Sequence, residues 1–339
     1  MKRIRVLSWV LGWMALAGII AACVWAFQPL ATLLSLRKLN DYPLYRLDYY
    51  GDMQSNLAKA EALERFLGGW QEQSSAKPQA GFACSLFFSA ADPADMQYGR
   101  NFDWQYSPAL VVVVHQPGGS TSISIANTQW MGFSVQRAAH LDQLPLLERL
   151  PLLASPALLT DGMNNRGLVV GMAAVPERGE LFDTQKPTLD SLMAMRALLD
   201  TTASVPEALD LLAAHNIDMG SGPSIHYLIA DSSGQSALVE ITADGFFQSA
   251  PTGPYQTATN HYLTDPPEQQ PACPRLEAMN QTLQAAGGRL APGEAMRLLQ
   301  QVSQANTQWS VVYHNTSGQM EVVMDLRYDL PLTLRLNMR

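Results

Sequence analysis

Short apolar runs, separated by clusters of turn-forming residues, recur along the chain from residue 84 to its end. Runs of this kind are typical of buried strands, and a Gly, Pro, Asp or Ser cluster between two of them predicts a hairpin. The sequence therefore predicts a strand-rich body with several hairpins. The strands expected are 84–89, 96–104, 109–117, 121–126, 167–175, 225–231, 237–242, 309–315 and 320–326.

Other stretches of the chain, before and between these strands, carry apolar residues at helical spacing. One of the predicted helices starts with Ser204 followed by Glu207, the pattern of a capping box. Hairpins combined with helix pairs indicate antiparallel sheets layered with helices, an α+β architecture. The predicted helices are 56–70, 191–200, 204–216, 275–288 and 292–304.

The N-terminus carries a membrane signal. Three cations, Lys2, Arg3 and Arg5, precede the uncharged residues 6–27. At about 1.5 Å per residue, a helix of this length crosses a hydrocarbon core of about 30 Å. Since the cations stay in the cytoplasm, we expect a signal anchor with an extracytoplasmic catalytic domain. A cleaved signal is the alternative, and a lipoprotein signal ending at Cys23 is one form of it, but the apolar residues after Cys23 favour the anchor.

Three regions follow from these patterns. Residues 1–27 form the expected anchor, residues 28–83 a prosegment with a linker, and residues 84–339 the catalytic domain. The prosegment ends in the polar stretch 71–81, QEQSSAKPQAG. A polar linker of this composition is a site where a chain is readily cut.

Composition excludes several functions. The formal net charge of −8 and a pI near 5.2 disfavour binding to nucleic acid. Motifs for phosphate loops, zincin-type metal sites and the serine-hydrolase elbow are absent from the sequence, and no CxxC pair suggests zinc. We therefore expect no metal and no cofactor. A disulfide between Cys84 and Cys273 stays open as an alternative in an oxidising compartment.

Cys84 is the candidate nucleophile, and it needs a base because a free thiol is mostly protonated at neutral pH. None of the six histidines lies near Cys84 in the sequence, which disfavours a Cys–His pair. Cutting the bond between Ala83 and Cys84 supplies another base. The freed α-amine has an ordinary pKa of about 7.7–8.0 and can accept the thiol proton.

Arg100 and Asp103 follow Cys84 at spacings of 16 and 19 residues. A hairpin turning near residues 92–93 places residue 101 opposite Cys84, so both charges can reach it. Arg100 then stabilises the thiolate, and Asp103 accepts a hydrogen bond from the amine. Because a spacing of three puts two side chains on opposite faces of a strand, we expect a bulge or strand end at residues 101–102. The alternative is that Arg100 and Asp103 form a solvated ion pair that contributes little to stability.

The string from Cys84 through Gly-Arg100-Asn-Phe-Asp103-Trp resembles the start of the mature chain in the choloylglycine hydrolase group of N-terminal-nucleophile (Ntn) hydrolases. This group includes bile-salt hydrolases, penicillin V acylases, acid ceramidase and N-acylethanolamine acid amidase, and it is close to the linear-amide C–N hydrolases, among them autoproteolytic acyltransferases. Four later stretches share the resemblance: DGMNNRGLVVGM at 161–172, ATNH around Asn260, PRLEAM around Arg275 and the C-terminal hairpin NTQWSVVYHNTSGQMEVVM at 306–324.

The resemblance implies a four-layer αββα sandwich of two antiparallel sheets, autocleavage between Ala83 and Cys84, and hydrolysis of an N-acyl amide by Cys84. It implies that Asn260 and the backbone N–H of Ala174 hold the oxyanion, that Arg275 lies near the nucleophile, and that Trp104 contacts substrate.

Ala174 stands where bile-salt hydrolases carry an asparagine, so bile salts are a doubtful substrate. Asn164 and Asn165 are the candidate substitutes for the missing amide. Two alternatives stay open. The same site suits an acyltransferase, and the fold suits a membrane-tethered binding module without activity.

Overall fold

The computed structural model of the chain describes residues 25–67, 84–116, 119–220 and 222–339. Most of the predicted anchor, the polar linker and Ala83 lie outside these ranges. Within them, no helix is both long and apolar enough to cross a bilayer.

The strands, in chain order, are β1 (Arg37–Asn40), β2 (Leu44–Tyr50), β3 (Ser85–Ser89), β4 (Gln97–Asp103), β5 (Ala109–His115), β6 (Thr121–Asn127), β7 (Leu159–Asn164), β8 (Val169–Ala174), β9 (Thr188–Asp190), β10 (Asn216–Asp218), β11 (Ile225–Ala230), β12 (Ser236–Thr242), β13 (Gly245–Ser249), β14 (Tyr255–Ala258), β15 (Thr307–His314), β16 (Gln319–Met324) and β17 (Leu332–Arg335). All nine predicted strands are confirmed, with ends shifted by at most two residues.

Among the described residues the α-helices are α1 (25–34), α2 (Met53–Leu67), α3 (Val135–Ala138), α4 (Ser191–Thr201), α5 (Val205–Ala213), α6 (Pro274–Ala285) and α7 (Glu294–Gln301). Between β6 and β7 the chain forms short 3₁₀ segments, which include Thr128–Met131 and Leu146–Ala157. The capping box of α5 forms as expected at Ser204, whose hydroxyl accepts the Glu207 N–H. The Glu207 carboxylate returns to the N–H of Ala203, one residue before the cap.

Two sheets dominate the described part of the chain. The larger one has the strand order β1-β2-β5-β6-β7-β8-β11-β12-β13, and the smaller one β14-β3-β4-β15-β16-β17. Neighbouring strands are antiparallel in both sheets except for the pair β2–β5. The short strands β9 and β10 form a separate parallel pair. The predicted α+β class with two antiparallel-rich sheets is therefore confirmed.

The two sheets face each other across one hydrophobic core. Alternate residues of β3, such as Leu86 and Phe88, pack with Ile123 and Ile125 of β6 in the larger sheet. At Gly171 the sheets come close together, because a Cβ there would lie 2.6 Å from the Tyr98 hydroxyl oxygen. Helices α4 and α5 cover the outer face of the larger sheet, and α6 and α7 cover that of the smaller one. The layers run helix, sheet, sheet, helix.

The N-terminal segment is built into the larger sheet. Strand β2 pairs in parallel with β5 from Leu44, opposite Ala109, through Tyr50, opposite His115. The side chains of Leu44, Leu47 and Tyr49 are fully buried. The sequence patterns predicted residues 28–83 as a prosegment and did not indicate this pairing.

The hairpin of β3 and β4 sets the register around Cys84. Ser85 lies opposite Asn101, which places Phe102 in line with Cys84, one residue from the predicted position. The expected bulge in β4 at residues 101–102 is not found, and the alternative, a strand end, lies one residue later, at Asp103. The register between β4 and β15 shifts between Phe102 and Asp103, where β15 carries an extra residue between Thr307 and Trp309. There the extra residue, Gln308, uses its side chain to bind the Trp104 carbonyl and the Ser107 N–H just beyond β4.

Candidate active site

Cys84 lies immediately before β3 and points between the two sheets, on the same side as Leu86 and Phe88. Its exposed fraction is 3%. Both Cys84 and Cys273 are free thiols, so the disulfide alternative is wrong. Among the described residues no histidine makes a hydrogen bond or ion pair with Cys84; its side-chain neighbour of this kind is Arg100.

Arg100 connects the nucleophile to the opposite sheet. Its Nη2 lies 3.8 Å from Cys84 Sγ, while its Nη1 forms an ion pair of 2.9 Å with Asp161 Oδ2 on β7. Its Nε and Nη2 also donate to the Met172 carbonyl on β8, at 3.2 and 3.1 Å. Arg100 and Asp103 are both fully buried, so the alternative of a solvated ion pair between them is wrong, and the ion-pair partner of Arg100 is the equally buried Asp161. A buried charge of this kind is tolerated only because its donors are satisfied.

Asp161 is a site residue whose role the sequence patterns did not reveal. Its carboxylate accepts hydrogen bonds from Tyr313 Oη at 2.5 Å and from Thr160 Oγ1 at 2.9 Å, in addition to the Arg100 contact. The three donors fix the carboxylate in place. Its only signal in the sequence is its place at the head of the DGMNNRGL stretch.

Asp103, at the end of β4, is the second charged group beside the thiol. Its Oδ1 accepts a hydrogen bond from the Thr307 hydroxyl, and its backbone N–H lowers the pKa of the Cys84 thiol. The other oxygen, Oδ2, is buried and has no hydrogen-bond partner in the described part of the chain. Burial raises the pKa of Asp103 to about 6, against the opposing effects of Thr307, Arg275 and Arg100. The carboxylate can therefore accept one more hydrogen bond beside Cys84.

Burial also raises the pKa of the Cys84 thiol above its ordinary value. Arg100 opposes this effect most strongly, and Arg275 opposes it more weakly. The thiol therefore stays protonated at neutral pH unless a base takes its proton.

Arg275, the second residue of α6, links Cys84 to the loop of Asn260. Its Nη1 donates to the Cys84 carbonyl at 2.5 Å and to Ser85 Oγ at 3.0 Å, and its Nη2 donates to Asn260 Oδ1 at 3.3 Å. Because the guanidinium holds the Asn260 oxygen, the Asn260 amide nitrogen points away from Arg275 with its two donors. One of these donates to the Ala174 carbonyl at 2.8 Å. The fold thus brings Asn260, Ala174 and Arg275 together.

A cleft of about 370 Å³ opens beside Asn260 and Ala174. Its volume lies within the range of small-molecule sites. Its lining is mostly small or apolar and includes Val175, Pro176, Pro223 and Ser224.

Trp104 belongs to an aromatic cluster at the same end of β4. Its ring stacks on Phe102 with centroids 5.8 Å apart and meets Trp130 edge-on at 6.0 Å. Phe102 in turn stacks on Trp309 at 4.1 Å, and the Arg100 guanidinium lies 4.8 Å from the centre of the Phe102 ring. Trp104 is half-buried, and its contact with substrate remains a prediction.

The suggested substitutes for a polar group at Ala174 are wrong. Asn164 uses its side chain to bind the carbonyls of Leu199 and Thr202, and Asn165 accepts the Thr121 N–H. Asn164 is the last residue of β7 and Asn165 begins the turn to β8, so both lie at the opposite end of β8 from Ala174. Their amides hold this turn together instead. The described residues include no group of three or more His, Cys, Asp or Glu placed to hold a metal ion.

Comparisons with known proteins agree with this arrangement. The family model for acyl-coenzyme A:6-aminopenicillanic acid acyl-transferase matches residues 94–327. Conjugated bile acid hydrolase from Clostridium perfringens, as a mutant, superposes with a TM-score of 0.54 at 13% identity, covering 75% of this chain and 92% of that one. Penicillin V acylase from Agrobacterium tumefaciens superposes with a TM-score of 0.52 at 15% identity, covering 74% and 84%.

A search against curated protein sequences gave no significant match. The two superposed structures share the fold with this chain, and the family model covers more than two thirds of its length, although that match begins ten residues after Cys84. The chain belongs to the acyl-coenzyme A:6-aminopenicillanic acid acyl-transferase family, within the Ntn hydrolase group.

Proposed function

We propose that this protein is an autoprocessed enzyme that uses Cys84 as an N-terminal nucleophile to break linear amide C–N bonds of N-acyl substrates. One observation carries the proposal: the buried Cys84 thiol has Arg100 at 3.8 Å and, close by, Asp103 Oδ2, which has no hydrogen-bond partner among the described residues. This arrangement suits a thiolate together with an α-amine on the same residue.

The processing step makes that amine. Cys84 Sγ attacks the carbonyl carbon of Ala83, and the Ala83–Cys84 C–N bond breaks to leave a thioester and a free α-amine. Water then hydrolyses the thioester, which releases the Ala83 carboxylate and restores the thiol. Arg275 supports this geometry because it binds the Cys84 carbonyl and so fixes the backbone of the nucleophile.

In the catalytic cycle the α-amine takes the thiol proton, and the sulfur attacks the substrate carbonyl. The Asn260 amide and the backbone N–H of Ala174 stabilise the resulting oxyanion, where one donor is worth about 3 kcal/mol. The intermediate collapses to an acyl-enzyme as the ammonium gives its proton to the leaving amine. Water then releases the acyl group and regenerates the thiol.

The two charged neighbours have separate roles in this cycle. Arg100 stabilises the thiolate while Asp161 fixes the guanidinium from the opposite sheet. Asp103 Oδ2 accepts a hydrogen bond from the α-amine and orients it. No metal or organic cofactor takes part in these steps.

Acyl transfer is the second candidate function, and the description of the family model favours it. The same acyl-enzyme then reacts with an amine in place of water. Adding hydroxylamine to the reaction separates the two, since a transferase forms acyl hydroxamate in preference to free acid.

The substrate we propose is a small N-acyl amide. The names of the superposed structures, a bile acid hydrolase and a penicillin V acylase, support amides with a bulky or apolar acyl group. The cluster of Phe102, Trp104 and Trp130 offers an apolar wall for such a group.

We also propose that residues 6–27 anchor the protein in a membrane with the catalytic domain outside the cytoplasm. The supporting observation is helix α1, whose residues 25–27 belong to this stretch. It exposes four large apolar side chains, those of Trp25, Phe27, Leu30 and Leu34.

The experiment compares Cys84→Ala with Cys273→Ala, which removes the other free thiol of the described chain. Both are assayed with N-acyl amino acids, penicillin V, conjugated bile salts and N-acylethanolamines. We expect Cys84→Ala to abolish turnover and Cys273→Ala to retain it. Undiminished turnover in Cys84→Ala would rule the mechanism out.

A further inference from the structure

The loop that carries Asn260 is held on both sides by one buried pair of side chains. His226 Nε2 lies 2.7 Å from the carbonyl of Thr259, the residue before Asn260. After Asn260, Glu240 Oε1 accepts the N–H of Leu263 at 2.7 Å and Oε2 accepts the N–H of Thr264 at 2.9 Å. Three backbone contacts thus fix the loop to two side chains.

The pair comes from the larger sheet, whereas the loop leaves the smaller one. His226 on β11 and Glu240 on β12 lie across from each other, because the adjacent residues Tyr227 and Val239 are paired. Nδ1 of His226 lies 3.3 Å from Glu240 Oε1. His226 also pairs with Ala173, the neighbour of Ala174. The same part of the larger sheet therefore positions the Asn260 loop and the Ala174 carbonyl to which Asn260 donates.

The pair is buried, and its polar atoms have partners. His226 and Glu240 have exposed fractions of 0% and 1%. His226 Nε2 donates to the Thr259 carbonyl, and Nδ1 lies within hydrogen-bond distance of the Glu240 carboxylate. The backbone N–H groups of Leu263 and Thr264 donate to the two carboxylate oxygens, as a buried carboxylate requires.

The other ionisable groups around His226 and Glu240 have partners of their own. Arg178 forms an ion pair with Asp265, in which Nη2 donates to Oδ2 at 2.7 Å. Arg275 is engaged with Cys84 and Asn260. His261 bonds the Thr259 hydroxyl through Nδ1 at 3.1 Å, and burial lowers its pKa, so it adds no cation beside His226.

We propose that His226 and Glu240 are positioning residues that act through Asn260, holding its amide at the place where the oxyanion of the substrate forms. This inference rests on the proposed function and adds two residues to it. Misplacing a catalytic group by about 1 Å can slow a reaction by about 100-fold.

The test uses Glu240→Gln and Glu240→Asp in the full-length protein. Glu240→Gln keeps the length but turns an NH₂ group toward a backbone N–H, and Glu240→Asp keeps the charge but does not reach the loop. For each variant we expect kcat to fall about 10- to 100-fold with KM changed by less than about threefold. Rates are taken per mole of chain that begins at Cys84, and neither variant should have any further effect in an Asn260→Ala background.

The matched control is Asp231→Asn. Asp231 is a buried carboxylate just after the same strand, β11, and it accepts the N–H groups of Val205 and Ser233 far from the site. We expect it to lower stability as the Glu240 variants do, yet to leave kcat within about twofold of the wild type.

The outcomes separate the two claims. If the wild type is active and Asn260→Ala slows it, but Glu240→Gln has the same kcat as Asp231→Asn, the positioning role is wrong and the proposed function stands. An equal loss from Glu240→Gln with and without Asn260 also overturns the positioning role. If Asn260→Ala is fully active, or the wild type cleaves no amide, the proposed function itself fails.

Discussion

Replacing Asp103 by asparagine should make the uncleaved protein more stable while it removes activity. The carboxylate of Asp103 is fully buried, and its Oδ2 has no partner among the residues that the structure describes. Its pKa of about 6 lies above the ordinary 3.8, and this difference corresponds to about 3 kcal/mol. The Asp103→Asn substitution imitates the protonated acid, so the variant avoids this penalty.

The sign of the pH dependence follows from proton binding. Between about pH 4 and pH 6 the folded precursor keeps a proton on Asp103 that the unfolded chain has released. The free energy of unfolding therefore falls as the pH rises through this window and stays lower above it. Asp103→Asn should have little effect at pH 4 and should stabilise the precursor by up to about 3 kcal/mol at pH 8.

The assay compares thermal unfolding of Cys84→Ala and Cys84→Ala/Asp103→Asn, both of which stay uncleaved in this account. The melting temperatures should agree at pH 4 and differ by up to about 4 °C at pH 8. Asp41→Asn is the control, because the Asp41 side chain is 99% exposed and should show no such divergence. In the protein that keeps Cys84, Asp103→Asn should lower kcat about 100-fold. Equal melting temperatures at pH 8 together with wild-type turnover would refute the reasoning.

Three further predictions concern stability and assembly. Arg100→Met leaves the Asp161 carboxylate buried without its cation and should destabilise the fold by about 3–5 kcal/mol, measured by urea unfolding. Burial lowers the pKa of His314, but hydrogen bonds to Glu321 and Asp95 outweigh it and raise that pKa above 6.5. The protonated His314 ring therefore stabilises the folded state. This contribution to the free energy of unfolding is complete below pH 6.5 and is lost as the pH rises through the raised pKa of His314, so His314→Gln should lower the melting temperature more at pH 6 than at pH 9. After cleavage the N-terminal fragment should stay with the catalytic part, because β2 is a buried strand of the larger sheet; gel filtration that separates the two fragments would contradict this.

Local patterns in the sequence were sufficient for most of the elements. The hairpin of β3 and β4 was predictable because two apolar runs flank an Asp-Pro turn, and it brought Arg100 and Asp103 toward Cys84. The start of α5 was predictable because Ser204 is a side-chain cap. These signals depend only on residues close together in the chain.

Long-range pairings were missed because they depend on residues far apart in the chain. The parallel pair β2–β5 joins segments about 65 residues apart, and nothing local marks β2 as a partner of β5. Asp161 and Glu240 are single carboxylates within strands, and their partners become evident only when the sheets are assembled. The bulge was predicted in β4 but lies in β15, because side-chain spacing along one strand does not show which strand takes the extra residue.

The most direct test of the account is the N-terminal sequence of the active protein. Edman degradation and intact mass are measured on the fraction that turns over an N-acyl amide. We expect a chain that begins at Cys84, with its α-amine free. A fully active protein in which the Cys84 nitrogen is still bonded to Ala83 would contradict the central claim.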